Sequence, residues 1–126
     1  MRDYLYKITI KESPEIIFSA ITNPVTLELW TGYPAVMQPI ENTEFSLWEG
    51  DITGRNLKVE MNRKLVQEWY FEGQDSPSLV SITLHGEKGK TRIELTHTNI
   101  PDEAFDNISN GWKEYYFSPL KKFLES

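Results

Sequence analysis

The side chains best equipped for chemistry in this 126-residue chain are two histidines, His85 and His97, and one amide, Gln67. All three lie on segments that otherwise alternate apolar and polar residues. An imidazole can ligate a metal, accept a proton or anchor a ligand. Around a turn at Lys88-Gly89, Leu84 falls opposite Ile93, Ile82 opposite Leu95, and Val80 opposite His97. On the other face Thr83 meets Glu94, and His85 meets Arg92. The two histidines therefore point to opposite faces and cannot share a metal ion. His97 and Gln67 face inward, where a polar group needs a partner in the protein, in water or in a ligand. His97 reads either as a buried histidine satisfied by a carbonyl or water, or as a polar anchor or general base. Glu68 and Glu94 read as outer-face ion-pair partners with no chemistry of their own.

Aromatic residues form the second candidate constellation. Trp30, Trp48, Trp69 and Trp112, with Tyr116, could line a pocket for a flat ligand, although core packing is the plainer reading of each ring alone except Trp48. Trp48 differs. It shares a strand face with Glu44 and Ser46, away from Phe45 and Leu47, and reads as an exposed interaction surface. No phosphate-cradling glycine loop, nucleophile elbow or paired carboxylates occur. With no cysteine, thiol nucleophiles, disulfides and thiolate metal sites are excluded, and no cofactor is expected. A net charge of -6, with no basic cluster beyond Lys121-Lys122, argues against nucleic acid. No apolar run approaches the roughly 20 residues that span a bilayer, and Met1-Arg2-Asp3-Tyr4 leads straight into a strand pattern without a signal core. A soluble, cytoplasmic protein without membrane insertion is expected.

These residues need elements to hold them. The length fits one domain, 1–126. Tyr4, Tyr6, Ile8 and Ile10 alternate as a strand. Ser13-Pro14-Glu15 opens a helix with Ile17, Phe18 and Ile21 inward, and Asn23-Pro24 opens a second through Leu27 and Trp30. A short strand is predicted at Ala35 to Gln38. Phe45 and Leu47, a turn at Glu49-Gly50, and Ile52 come next. Leu57, Val59 and Met61 alternate on the opposite parity from Ile52, which predicts a bulge at Gly54. Pairing Leu57 with Trp69 and Val59 with Gln67 sets Lys58 beside Glu68, while Arg55 could face either way. At the C-terminus Trp112, Tyr116, Leu120 and Phe123 form one bulky face of a helix. Such a stripe needs a surface to cover. Pro119 lies inside this helix and should kink it near Tyr115. The predicted order is one strand, two helices, about six antiparallel strands and a long helix laid across the concave face of a curved sheet.

In that order the chain resembles the START/Bet v-like (SRPBCC) superfamily of helix-grip α+β folds, and within it the heat-shock-protein-90 ATPase activator-like group. The resemblance rests on Ser13 to Pro24, Leu29-Trp30, Phe45 to Gly50 with Ile52-Thr53-Gly54, and Leu65 to Trp69. It continues through Ile82-Thr83-Leu84, Thr91 to His97, Ile100-Pro101 and Gly111-Trp112 with Tyr115-Tyr116-Phe117. It implies a cavity between sheet and last helix, where relatives bind lipids, hormones or polyketides and a few act as cyclases. The eukaryotic activator carries a related domain as its C-terminal half, beside an N-terminal domain that contacts the chaperone. The first functional expectation is thus a non-catalytic domain binding a small hydrophobic molecule, with Trp30, Gln67, Trp69, His97, Trp112 and Tyr116 around it. The second is a protein-interaction module with a chaperone partner, using Trp48. The third is a cyclase- or hydratase-type enzyme with His97 as base.

Overall fold

The computed structural model describes residues 1–71 and 73–125. Strand β1 (Arg2–Ile10) leads to helices α1 (Pro14–Thr22) and α2 (Pro24–Thr31). Four hairpin-connected elements follow as β2 (Glu44–Leu47), β3 (Ile52–Glu60), β4 (Lys64–Trp69) and β5 (Ser78–Glu87), then β6 (Lys90–Ile100). The chain ends in a helical rod of α3 (Phe105–Gly111), a π-helical stretch (Trp112–Phe117) and α4 (Ser118–Glu125). The six strands form one antiparallel sheet in the order β1-β6-β5-β4-β3-β2. The fold is therefore α+β, with the rod gripped by the sheet.

Local chemistry explains the helix starts. The Ser13 hydroxyl accepts from the Ile16 amide, and Asn23 Oδ1 accepts from the Val25 and Thr26 amides. In each case proline follows at the first helical position, where its missing N–H costs nothing. Ile17, Phe18, Ile21, Leu27 and Trp30 are buried, as their spacing predicts.

The β5/β6 register is the predicted one, with Leu84 opposite Ile93, Ile82 opposite Leu95 and Val80 opposite His97. The β3/β4 register is not. Gly54 pairs with Trp69, Asn56 with Gln67, and the shift falls between Asn56 and Lys58, so the bulged residue is Leu57. The outer-face pair on Glu68 is accordingly Arg55 at 3.0 Å, while Lys58 pairs with Glu60 on its own strand. Gly54 serves close approach instead. A Cβ there would collide with the Glu68 carbonyl oxygen and sit 2.8 Å from the Phe45 ring. The strand expected at Ala35–Gln38 is a single bridge between Val36 and Ser46, because Pro34 and Pro39 bracket it and neither can donate to a ladder.

The rod also departs from a simple kink. Proline at 119 has no N–H for the Tyr115 carbonyl, and the disturbance appears as a π turn in which the Ser118 amide donates to the Lys113 carbonyl, five residues back. At that wider pitch residues five apart align. Phe117 therefore joins the buried stripe, stacked on Trp112 with centroids 5.5 Å apart and on Tyr6 at 5.6 Å. Trp112, Tyr116 and Leu120 are buried with it. Two polar tethers hold the far end of the rod, since Lys121 Nζ donates to the Thr9 carbonyl and Glu125 Oε2 accepts from the Lys11 amide.

Candidate functional site

The inward polar residues of the central strands are consumed within the protein. His97 has no solvent exposure. Its Nδ1 accepts from Trp112 Nε1 at 2.9 Å, and its Nε2 lies 2.8 Å from Ser78 Oγ. An indole N–H only donates, so Nδ1 carries a lone pair and the proton resides on Nε2. Burial pushes the imidazole pKa down to about 4, and the ring is neutral at physiological pH. Both nitrogens are occupied, so His97 has no free lone pair with which to act as a general base. That occupancy fits the reading of a buried, satisfied histidine, with side chains as partners in place of a carbonyl or water.

Gln67 is engaged in the same way. Its Nε2 donates to Asn56 Oδ1 at 2.9 Å, and its Oε1 accepts from Trp69 Nε1 at 3.0 Å. Asn56 in turn donates to the Gln38 carbonyl at 3.0 Å and to Thr43 Oγ1 at 3.2 Å. This chain ties the loop before β2 to the sheet interior. Neither Gln67 nor His97 reaches the cleft described below. The two indoles that donate to them, Trp69 and Trp112, do line it. Asn56 was not singled out from sequence, since an asparagine on a parity that a bulge has shifted looks exposed.

Above this polar layer the rings of Trp69 and Trp112 close the space between sheet and rod. The opening lies to one side, as a solvent-connected cleft of about 600 Å³ between α2, the corner before β3, and the rod. Trp30, Trp48, Trp69, Trp112 and Tyr116 all contribute to its wall. Trp30 is pinned by its indole N–H to the Ala20 carbonyl and meets Tyr116 edge-on at 5.1 Å. Trp48 lines this cleft. It is half-buried and faces Tyr116 at 6.3 Å, not the outer solvent. The reason is the backbone: Trp48 and Glu49 adopt φ of 51° and 54°, so the strand alternation that put Trp48 outside ends one residue early. Pro119 forms part of the rim. Tyr33, Glu49, Asp51 and Tyr115 complete the mouth and were not anticipated; no periodicity marks them, because they sit in corners and on the rod's solvent edge.

Among the described residues no group of three or more acidic, histidine or cysteine side chains is arranged to hold a metal ion. No helix among them is long and apolar enough to cross a membrane.

A curved antiparallel sheet closed around a C-terminal helix, with a side cleft beneath it, defines a helix-grip protein. Residues 11–125 match the family model for activator of Hsp90 ATPase homolog 1-like protein, and the chain belongs to that family. It is similar to the human activator of 90 kDa heat shock protein ATPase homolog 1, with 25% identity over 122 residues, covering 92% of this chain and 36% of the human protein. The chain thus spans about a third of the length of the curated relatives it matches. Among solved structures it resembles an HSP90 activator from Plasmodium falciparum, with a TM-score of 0.91, 24% identity, and coverage of 98% of this chain and 96% of that one. It also resembles CalU16 from Micromonospora echinospora, with a TM-score of 0.84, 24% identity, and coverage of 97% and 73%.

Proposed function

We propose that residues 1–126 act as one binding domain that holds a small apolar or aromatic molecule in the side cleft. The observation that carries this reading is a cleft of about 600 Å³ walled by four tryptophans and Tyr116. That size and ring content match small-molecule sites, which usually fall between roughly 300 and 1,000 Å³. A panel of lipids and aromatic compounds tests it. One member should raise the melting temperature saturably, and Trp48→Ala should abolish the rise. If no member does so, the cleft is not a ligand site.

A second reading is a chaperone-linked interaction domain in the cytoplasm. It is supported by the family and by relatives named as activators of the 90 kDa heat shock protein ATPase. Purified Hsp90 should then bind the domain and hydrolyse ATP faster in its presence. Absence of both effects removes this reading and leaves the first intact.

A further inference from the structure

We propose that the cleft selects apolar organic cations, with a protonated amine seated against Tyr116 and drawn in by Glu49 and Asp51. The proposal rests on the ligand-binding reading above and specifies its chemical class.

The first observation is Tyr116. Its side chain is 4% exposed and lines the cleft, yet its hydroxyl makes no hydrogen bond with any described residue. Every other buried indole or imidazole around it has its polar atoms satisfied. The hydroxyl is not among the buried atoms left without a partner, so it reaches the solvent space of the cleft, where it can bond to an occupant. Burial raises the Tyr116 pKa, so this group is a neutral phenol whose oxygen can accept from an ammonium N–H.

The sign of the charge follows from the rest of the lining. Glu49 and Asp51 stand at the mouth, and no lysine, arginine or histidine lines the cleft. An anionic ligand would meet two carboxylates and no counter-charge. A cation meets those carboxylates and, deeper in, the electron-rich faces of tryptophan and tyrosine rings. The arrangement is built at a conformational cost, because Trp48 and Glu49, both non-glycine, hold left-handed φ values in succession. That corner is what turns the Trp48 ring into the cleft and leaves Glu49 at its edge.

The test uses three probes sharing one skeleton: 2-(2-naphthyl)ethylammonium, 2-(2-naphthyl)ethanol and 3-(2-naphthyl)propanoate. Each is titrated calorimetrically into the full chain at physiological ionic strength, where charges beyond about 8 Å are screened. The ammonium should bind about tenfold more tightly than the alcohol, and the carboxylate should bind least. Glu49→Gln with Asp51→Asn should erase the preference for the ammonium while leaving the alcohol unchanged. Glu87→Gln with Asp75→Asn removes the same charge away from the cleft and should leave the preference intact. Tyr116→Phe should keep the melting temperature, since it removes an unpartnered hydroxyl, and should weaken the ammonium about tenfold. If the alcohol or carboxylate equals the ammonium, cation selection is overturned and the binding reading stands. If the distant charge pair matters as much as the rim pair, the selection is a property of the whole-molecule field and the proposal is also overturned. If none of the three binds, cation selection is overturned, and the wider panel of lipids and aromatic compounds decides the ligand-binding reading.

Discussion

The indole of Trp69, at the end of a central strand, lies nearly parallel to that of Trp112 on the last helix, with centroids 4.8 Å apart and planes 24° apart. Each N–H leaves the stack for a different buried acceptor: Trp69 donates to Gln67 Oε1, and Trp112 to His97 Nδ1. The stack is the point at which sheet and helix are joined. It also separates a polar layer, fully satisfied inside the protein, from the aromatic cleft open to solvent.

Replacing Trp112 tests that junction. Trp112→Ala should cost about 3–5 kcal/mol in chemical denaturation, as for a buried aromatic residue. Trp112→Phe keeps much of the ring and loses the N–H, and should cost about 1–2 kcal/mol through the orphaned His97 Nδ1. A loss below about 1 kcal/mol for the alanine variant would show that the helix is not anchored there.

His97 makes stability depend on pH. Its folded pKa, about 4, lies below the ordinary histidine value near 6.5 because burial disfavours the cation. Between these values the unfolded chain binds the extra proton and the folded one does not, so stability rises with pH across that window. Acidification from about pH 6.5 to pH 4 should therefore remove up to roughly 3 kcal/mol, with no further loss from this group at lower pH. His97→Gln should flatten the slope. An unchanged slope in that variant would assign the acid sensitivity elsewhere.

Gly54 should tolerate no side chain. A Cβ would strike the Glu68 carbonyl and press on Phe45, so Gly54→Ala should destabilise by at least about 2 kcal/mol and disturb the β3/β4 pairing. Loss of backbone amide protection at residues 66 to 69 in hydrogen exchange would report that disturbance. A variant as stable as the parent would show that the strands do not approach so closely at Gly54.

Asn56→Ala should cost about 2–4 kcal/mol, because it strips partners from Gln67, the Gln38 carbonyl and Thr43 together. The loop before β2 should become sensitive to proteolysis in this variant first. Equal protease resistance would mean that the amide chain does not tether the loop.

Particular residues show how far sequence reading reaches. The caps at Ser13 and Asn23, the Lys88-Gly89 hairpin and its register, and the Trp112-Tyr116-Leu120 face are legible because each is set by neighbours within a few positions. The β3/β4 register is not legible from charge, because Lys58 and Arg55 are equally good partners for Glu68 when only charge is considered. What decides between them is the burial of Asn56 and the close approach at Gly54, both properties of the third dimension. Phe117 escaped notice because it is buried by a π pitch, while periodicity assumes 3.6 residues per turn.

Period, caps and turn chemistry were thus enough to fix most of the element order and an α+β class with a last helix laid on a curved sheet, since those signals are local and repeated along the chain; the helix-grip assignment came from the family resemblance. The cleft was decided by tertiary structure alone. Its wall depends on two left-handed residues at Trp48 and Glu49, and its floor on rings from a strand and a helix 43 positions apart in sequence, Trp69 and Trp112. Local pattern carries no information about such juxtapositions, because the energy that selects them comes from packing between elements and not from preferences within them.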